Sequence, residues 1–268
     1  FPILEGYNAG ASYSVLQLVV RGGDVTWAGG ASRVATTLGV TGRADVAAIV
    51  ADADARTAVL RNQVIGTQVA DITRAPTRLF ESAMGNLVTD AMRAKYPGVD
   101  AAYTNSGGLR ADLNCEPPSA GEQPCEITWG EVFAVLPFGN RTVIETLTGA
   151  QLEAAVLNGV SPFCDPAVAT GRFPQVSGLK IQFTCSGTTP AVTGLWKTSG
   201  GTATPIGPTD TVRIVTNDFM YTGGDGYTAF SGGTDVLQPG DDLLQVVVDY
   251  IGAHSPVAAS VEGRIVGP

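Results

Sequence analysis

Histidine is almost absent from this sequence, which has one, His254, in 268 residues. A serine or cysteine nucleophile activated by histidine needs that side chain beside it. His254 lies near the end of a predicted helix, and the chain has no Gly-x-Ser-x-Gly motif to accompany it. A two-metal centre needs several histidine and aspartate ligands, and a P-loop, a His-Glu-x-x-His motif and a dinucleotide fingerprint are also missing. We therefore predict neither a catalytic residue nor a metal site in this chain.

Positive charge and long apolar runs are scarce as well. Lysine and arginine number 16 against 25 aspartate and glutamate, which gives a net charge of −9. The chain thus lacks the basic stripe that dominates affinity for nucleic acids or for anionic lipid surfaces. Its apolar runs in a helical context, such as residues 246–248, are far shorter than the roughly 20 residues of a membrane-spanning helix. We predict no nucleic-acid partner and no membrane span.

The sequence begins at Phe1, without an initiator methionine, a basic segment or the apolar core of a signal peptide. We expect a processed chain or a fragment of a longer protein.

Four cysteines allow three pairings, and none of their spacings is typical of zinc. Cys115 and Cys125 flank a loop rich in proline and glycine, and Cys185 ends a strand-like run. We predict the disulfides Cys115–Cys125 and Cys164–Cys185, which indicate an exported protein. The alternative is a cytosolic protein with buried free thiols.

The first 62 residues differ from the rest. Residues 13–20 and 25–27 are strand-like and flank a Gly-Gly turn, which predicts a hairpin. Residues 44–60 follow as a predicted helix with one apolar stripe, Val46, Ile49, Val50 and Ala53. Residues 1–43 therefore resemble a small β piece cut from another domain, and residues 44–62 a linking helix.

From residue 63 onward, helices and strands interleave without strict alternation. Apolar spacing predicts one helix that buries Met84, Leu87, Val88, Ala91 and Met92. Capping boxes at Thr128 and Thr148 predict two more, the first ended by Pro137. Residues 179–183 and 212–216 are strand-like, and residues 186–208 form the loosest segment. A last helix near residue 241 is expected to bury Leu244, Val247, Val248 and Ile251. The pattern predicts an α+β domain with a mixed sheet and packed helices over residues 63–268.

Three loops carry side chains that suit an aromatic, hydroxylated, anionic ligand. Residues 105–110 follow a strand and combine an amide, glycines that permit close backbone approach, and Arg110, whose guanidinium fork suits phosphate. Phe138 comes directly after the Pro137 helix stop. Residues 217–227 place Phe219 and Asp225 on a glycine-rich loop. Taken singly, each has a plainer interpretation as a tight turn or a core phenylalanine.

Taken together, these segments resemble the C-terminal domain of the 5′-nucleotidase family. The resemblance covers roughly residues 63–268 through six blocks in the family's order, including Glu-Ser-x-Met-Gly-Asn-Leu, Leu-Pro-Phe-Gly and Val-Glu-Gly-Arg-Ile. The blocks are Arg78 with residues 81–92, then residues 105–110, 127–140, 173–179, 217–227 and 261–265. Residues 1–43 resemble the end of the family's N-terminal metallophosphoesterase domain.

The resemblance implies a role for each matching residue. The nucleobase would lie between Phe138 and Phe219, where each aromatic face is worth about 1–3 kcal/mol in stacking. Arg78 and Arg110 would hold the phosphates. Further expected contacts come from Asn105 to the base, from Asp225 to the ribose hydroxyls, and from the backbone at Gly107 and Gly108. Ser106 stands where the family usually has glycine, and its hydroxyl is expected to alter the approach to the base slightly.

The resemblance therefore implies the nucleotide-recognition part of an exported 5′-nucleotidase, whether secreted, periplasmic or on the cell surface. Two divalent metals and the catalytic groups would belong to a missing N-terminal domain packed on residues 1–43, so this chain alone would be inactive. Alternatives within the family are a UDP-sugar hydrolase and a 2′,3′-cyclic nucleotide phosphodiesterase/3′-nucleotidase. An alternative of another class is a non-enzymatic nucleotide-binding module.

Overall fold

A computed structural model describes residues 12–34, 41–75, 77–116 and 123–268. The chain divides into two compact units, Phe1–Thr57 and Ala58–Pro268. Among the described residues, no helix is both long and apolar enough to cross a bilayer.

The first unit contains the predicted hairpin, formed by β1 (Ser12–Arg21) and β2 (Asp24–Val34) in antiparallel pairing. Both turn residues, Gly22 and Gly23, have positive φ, as a tight hairpin turn of the primed type requires. Helix α1 (Ala44–Arg61) begins in this unit. The helix is confirmed, and its apolar stripe is exposed, since no described residue of α1 is buried. Alanines and valines occur all around α1, so its sequence defines no single apolar face.

The second unit contains the remaining helices and strands. In chain order they are β3 (Val64–Thr67), α2 (Ala83–Lys95), β4 (Ala101–Asn105), β5 (Glu126–Thr128), α3 (Trp129–Val135), β6 (Thr142–Thr148), α4 (Gly149–Cys164), β7 (Pro174–Ser177), β8 (Leu179–Ser186), β9 (Thr189–Ser199), β10 (Thr202–Pro205), β11 (Thr211–Asn217), α5 (Asp218–Tyr221), β12 (Thr234–Leu237), α6 (Leu243–His254) and β13 (Ile265–Val266).

The two capping boxes start helices as predicted. The hydroxyl of Thr128 accepts from the Glu131 N–H, and the Glu131 carboxylate accepts from the Thr128 N–H in return. Thr148 and Gln151 make the same reciprocal pair at the start of α4. These bonds satisfy N–H groups that the first helical turn leaves without partners.

The central sheet is mixed, which confirms the α+β prediction. Its five strands lie in the order β12-β6-β11-β4-β7, and β4 pairs with β11 in parallel while the other pairs are antiparallel. Side chains alternate between its faces. Ala102 and Val215 point into one apolar cluster, and Ala101, Tyr103 and Ile214 into another. The sheet therefore separates two cores.

Helices α2, α3 and α6 supply the first core, and α2 buries all five residues predicted for it. The predicted face of α6 needs correction. Leu243 and Val246 are buried beside Val247 and Ile251, whereas Leu244 and Val248 are only half-buried. Because five of the first six residues of α6 are apolar, their spacing does not fix which of two adjacent stripes faces inward.

The second core lies under α4 and a four-stranded sheet of order β10-β9-β8-β13. Leu179, Ile181 and Phe183 alternate inward along β8 as predicted. Residues 186–208 are not a loose segment, because β9 and β10 occupy most of them and pair with β8 and with each other. Glu145 in β6 is fully buried, and neither carboxyl oxygen has a hydrogen-bond partner among the described residues.

Both predicted disulfides are present. Cys164 at the end of α4 joins Cys185 in β8, and Cys115 joins Cys125. The first pair ties α4 to the four-stranded sheet across the second core.

Candidate functional site

The candidate site lies at one end of the central sheet. Parallel strands β4 and β11 end there at Asn105 and Asn217. Their antiparallel neighbours begin at the same end, because Thr142 of β6 pairs with Asn217 and Pro174 of β7 pairs with Asn105. The segments that follow β4 and β11 and those that precede β6 and β7 therefore meet at this end of the sheet.

All eight residues that the sequence predicts for the site line one cavity of about 710 Å³ at this end. Its size lies within the usual range for small-molecule sites. The eight are Arg78, Asn105, Gly107, Gly108, Arg110, Phe138, Phe219 and Asp225. Four further lining residues are Asn140, Ala169, Thr170 and Gly171.

The two phenylalanines of the cavity are exposed rather than part of a core. Phe138 is 60% exposed and Phe219 43% exposed. Phe138 follows α3, which ends at Val135 as the Pro137 stop predicts. Phe219 lies in the short helix α5 instead of the expected flexible loop, because Asn217 caps that helix by accepting from the Met220 N–H. The helix therefore fixes the backbone position from which the Phe219 side chain extends.

Close packing also restrains the Phe219 ring. A Cβ placed on Gly224 would lie 2.5 Å from the ring, so a larger residue there would displace the ring. The next residue, Asp225, has a φ of 53°, which is uncommon for a residue other than glycine. The loop after α5 therefore follows the ring closely and presents Asp225 to the cavity.

Positive charge collects on one wall of the cavity. Arg74 is paired with Asp112 at 2.9 Å, whereas Arg78 and Arg110 form no ion pair with the described residues. Burial lowers the pKa of Arg78, and the like charges of Arg110 and Arg74 lower it further. Arginine nevertheless stays protonated in proteins. In a chain of net charge −9, this wall forms a local site for an anion.

Arg110 also contacts an aromatic ring of the same cavity. Its backbone N–H donates to the carbonyl of Val135 at the end of α3, which places it beside Phe138 three residues further along. The Arg110 guanidinium carbon lies over the Phe138 ring, 5.6 Å from its centre. One further bond, from Nη1 to the Gly107 carbonyl, measures 3.3 Å.

Asp225 is held by two amides on the other side of the cavity. Asn105 Nδ2 donates to Asp225 Oδ2 at 2.7 Å, and Asn158 Nδ2 donates to the Asp225 carbonyl at 3.1 Å. Oδ1 of Asp225 has no hydrogen-bond partner among the described residues. The carboxylate is therefore oriented while keeping one acceptor for a ligand hydroxyl.

The Ser106 hydroxyl is not among the groups that line the cavity, and its effect on the approach of the base stays a prediction. It lies 3.2 to 3.3 Å from the carbonyls of Arg78, Thr170 and Gly171. Its single proton serves one of them at a time. Gly107 approaches the same wall, since a Cβ there would come within 2.9 Å of the Gly171 carbonyl.

Buried side chains fix the segment that follows Arg78. Gln175 accepts from the Ser82 N–H at 2.9 Å and donates to the Phe80 carbonyl. The buried Glu81 carboxylate accepts from the N–H groups of Glu262 and Arg264, near the C-terminus. Arg78, with a φ of 56°, thus belongs to a segment tied to both β7 and the C-terminal residues.

Sequence reasoning missed four lining residues. Asn140 directly follows Leu-Pro-Phe-Gly, and its position two residues after Phe138 was an available signal. Its Nδ2 donates to Asp218 Oδ1 at 2.8 Å, which links the loops that carry Phe138 and Phe219. Residues 169–171 offered no signal, because only the pairing of β7 with β4 brings them to the site.

The described residues do not fit a metal centre. No group of three or more His, Cys, Asp or Glu side chains comes together within those ranges. His254 lies outside the cavity, at the end of α6, where it stacks on Tyr250 and Nδ1 lies 2.9 Å from the Tyr250 carbonyl oxygen. The cavity offers aromatic, cationic, amide and carboxylate groups.

Comparison with known proteins adds an independent observation. The family model described as "5'-nucleotidase, C-terminal domain" matches residues 55–232. The cell wall protein Lmo0130 of Listeria monocytogenes is 32% identical over 98% of this chain and 34% of its own length. The trifunctional nucleotide phosphoesterase protein YfkN of Bacillus subtilis is 34% identical over 77% of this chain and 14% of its own. The chain thus spans about a third or less of these two relatives.

A solved structure gives the same picture. The crystal structure of a 5'-nucleotidase precursor from Thermus thermophilus superimposes with a TM-score of 0.74 and 29% sequence identity. The match covers 98% of this chain and 51% of that chain.

Proposed function

The chain belongs to the 5′-nucleotidase family, and from that premise we propose that it is the nucleotide-recognition part of an exported 5′-nucleotidase. The observation that carries the proposal is the convergence of all eight predicted residues on one cavity. Segments as distant as Arg78 and Asp225 supply aromatic, cationic and acceptor groups to a single space.

The nucleobase binds between Phe138 and Phe219. A planar base needs a gap of about 7 Å, twice the ~3.5 Å contact distance between carbon atoms. The exposure of both rings supports this role, because a stacking platform must be accessible to the ligand. Asn105, which orients Asp225, also lines the cavity and contacts the base edge.

The phosphate binds to Arg78 and Arg110, and the ribose to Asp225. Two arginines without carboxylate partners among the described residues favour an anion that offers two oxygens to a planar guanidinium, such as phosphate. Asp225 keeps Oδ1 for a ribose hydroxyl, while the backbone at Gly107 and Gly108 permits close approach of the ligand. Base, sugar and phosphate thus each meet matching chemistry.

In the complete protein, hydrolysis to nucleoside and phosphate takes place at groups outside the described residues, in a metallophosphoesterase domain that precedes this chain and packs on residues 1–43. Two divalent metals bound there would supply the activated water. The residues of this chain hold and orient the nucleotide. Export is supported by the two disulfides and by the name of the cell wall relative.

The test uses the 268-residue chain, with calorimetric titration of AMP and measurement of phosphate release in the presence of Mn²⁺. We expect AMP to bind and no phosphate to appear. Metal-dependent release of phosphate from AMP would contradict the proposal that hydrolysis takes place outside this chain. Absence of binding to any nucleotide would contradict the proposed recognition role.

Two further measurements address the alternatives. Titration with a UDP-sugar and with a 2′,3′-cyclic nucleotide compares the substrate classes of the family. Mass analysis of the protein from its source tests the non-enzymatic module, because an enzyme requires several hundred preceding residues with Asp-x-His and Asn-His-Asp/Glu motifs.

A further inference from the structure

The guanidinium of Arg110 lies over the Phe138 ring, and both side chains line the cavity. In the proposed function these are a phosphate ligand and a base platform. A guanidinium over an aromatic ring occupies one face of that ring, on which a base could otherwise stack. The contact therefore connects the proposed phosphate-binding group with the proposed base-binding ring.

The contacts that keep Arg110 in this position are weak. No carboxylate pairs with it among the described residues, and its side chain makes one long bond, to the Gly107 carbonyl. A phosphate offers a charge-assisted, bidentate partner, which is stronger than a ring face exposed to water. A bound phosphate therefore draws the guanidinium away from Phe138.

We propose that Arg110 is a specificity-determining residue that makes this site favour nucleotides over nucleosides, because its guanidinium competes with the base for Phe138 until a phosphate removes it. This inference rests on the proposed function. A nucleotide brings its own phosphate and meets a free ring. A nucleoside must displace the guanidinium without compensation, so loss of the phosphate on hydrolysis weakens the hold on the product.

Arg78 provides the internal comparison. It lines the same cavity and carries the same charge, but no ring contact is formed by it among the described residues. Both arginines attract phosphate, and Arg110 alone of the two covers a base platform. Truncation of either arginine should therefore weaken nucleotide binding, whereas only truncation of Arg110 should strengthen nucleoside binding.

The experiment titrates AMP and adenosine into the wild-type chain, Arg110→Ala and Arg78→Ala. Arg110→Ala should bind adenosine about two- to fivefold more tightly than wild type, the range given by an exposed cation–π contact. The same variant should bind AMP at least about tenfold more weakly. Arg78→Ala should weaken AMP without strengthening adenosine. Arg93→Ala, which removes an arginine of α2 outside the cavity, is the matched control and should change neither affinity.

An adenosine affinity that is unchanged or lower in Arg110→Ala would overturn the inference, since it would mean that the guanidinium supports the ring or does not affect it. If Arg110→Ala fails to fold by thermal unfolding, Arg110→Gln replaces it with the same expectations. In the Phe138→Leu background, adding Arg110→Ala should leave adenosine affinity unchanged relative to Phe138→Leu alone, and a gain there as large as in the wild-type background would overturn the inference. If wild type binds AMP but Arg110→Ala and wild type bind adenosine equally well, this inference alone is refuted. If wild type binds neither AMP nor adenosine, the proposed function is refuted.

Discussion

Truncating either cavity phenylalanine should weaken nucleotide binding at a cost in stability well below that of removing a buried ring. A base stacked on one aromatic side chain gains about 1–3 kcal/mol. Phe138→Ala and Phe219→Ala should therefore each raise the Kd for AMP by roughly five- to 150-fold. The measurement is titration calorimetry on variants whose thermal unfolding is recorded in parallel.

The expected cost in stability follows from exposure. Truncating a fully buried phenylalanine costs about 3–5 kcal/mol. With 60% of Phe138 and 43% of Phe219 exposed, only the remaining 40% and 57% of each side chain leave water on folding. Scaling by these fractions gives losses of about 1–2 kcal/mol for Phe138 and about 2–3 kcal/mol for Phe219.

Phe133 supplies a matched control. It is 45% exposed, close to the value for Phe219, but it stacks on Trp129 outside the cavity. Phe133→Ala should lower stability by about as much as Phe219→Ala and leave AMP affinity unchanged. A large loss of stability in Phe138→Ala and Phe219→Ala with unchanged AMP affinity would refute the assignment, because the rings would then serve the fold alone.

Two further expectations concern the fold. Burial raises the pKa of Glu145 from 4.5 to about 8, so the folded state binds the extra proton and its unfolding free energy falls as pH rises between these values, by at most about 1.4 kcal/mol per pH unit. Glu145→Met should remove this decrease in unfolding free energy. Urea unfolding of wild type and Glu145→Met from pH 5 to 8 measures it, and an equal pH dependence of the two unfolding free energies would disprove the reasoning. A thiol assay on the unfolded, unreduced chain should read near zero. Loss of the Cys164–Cys185 bond should cost about 3 kcal/mol for its loop of 21 residues, and two or more free thiols would reject the pairing.

Local chemistry made part of the fold predictable. The capping boxes at Thr128 and Thr148 satisfy N–H groups within three residues of themselves, so they act whatever surrounds them. The apolar spacing of α2 likewise defines a single face. In α6 the apolar residues are so dense that two faces compete, and the sequence alone favours the wrong one. Residues 186–208 were misread because threonine, which favours strands, is mixed there with glycine, serine and proline, which are typical of turns.

The candidate site was predictable in its parts rather than in its assembly. Residues 105–110 and 217–227 were found because glycine, arginine, aspartate and phenylalanine after strands are typical of binding loops, and the family resemblance assigned their roles. Residues 169–171 reach the cavity through the pairing of Pro174 with Asn105, some 70 residues apart in the chain. Such long-range pairing leaves no local signal. The carbonyl neighbours of the Ser106 hydroxyl likewise come from distant segments.

The placement of the cavity at one end of the central sheet makes the opposite end a practical point of attachment. Strand β4 is five residues long and separates Asn105 from the Pro97-Gly98 turn by at least about 16 Å of extended backbone. Gly98 has positive φ and no atoms near the position of a Cβ. An affinity tag inserted there would anchor the molecule to a sensor surface with the cavity facing the solution. Nucleotide capture could then be recorded without a label on the ligand.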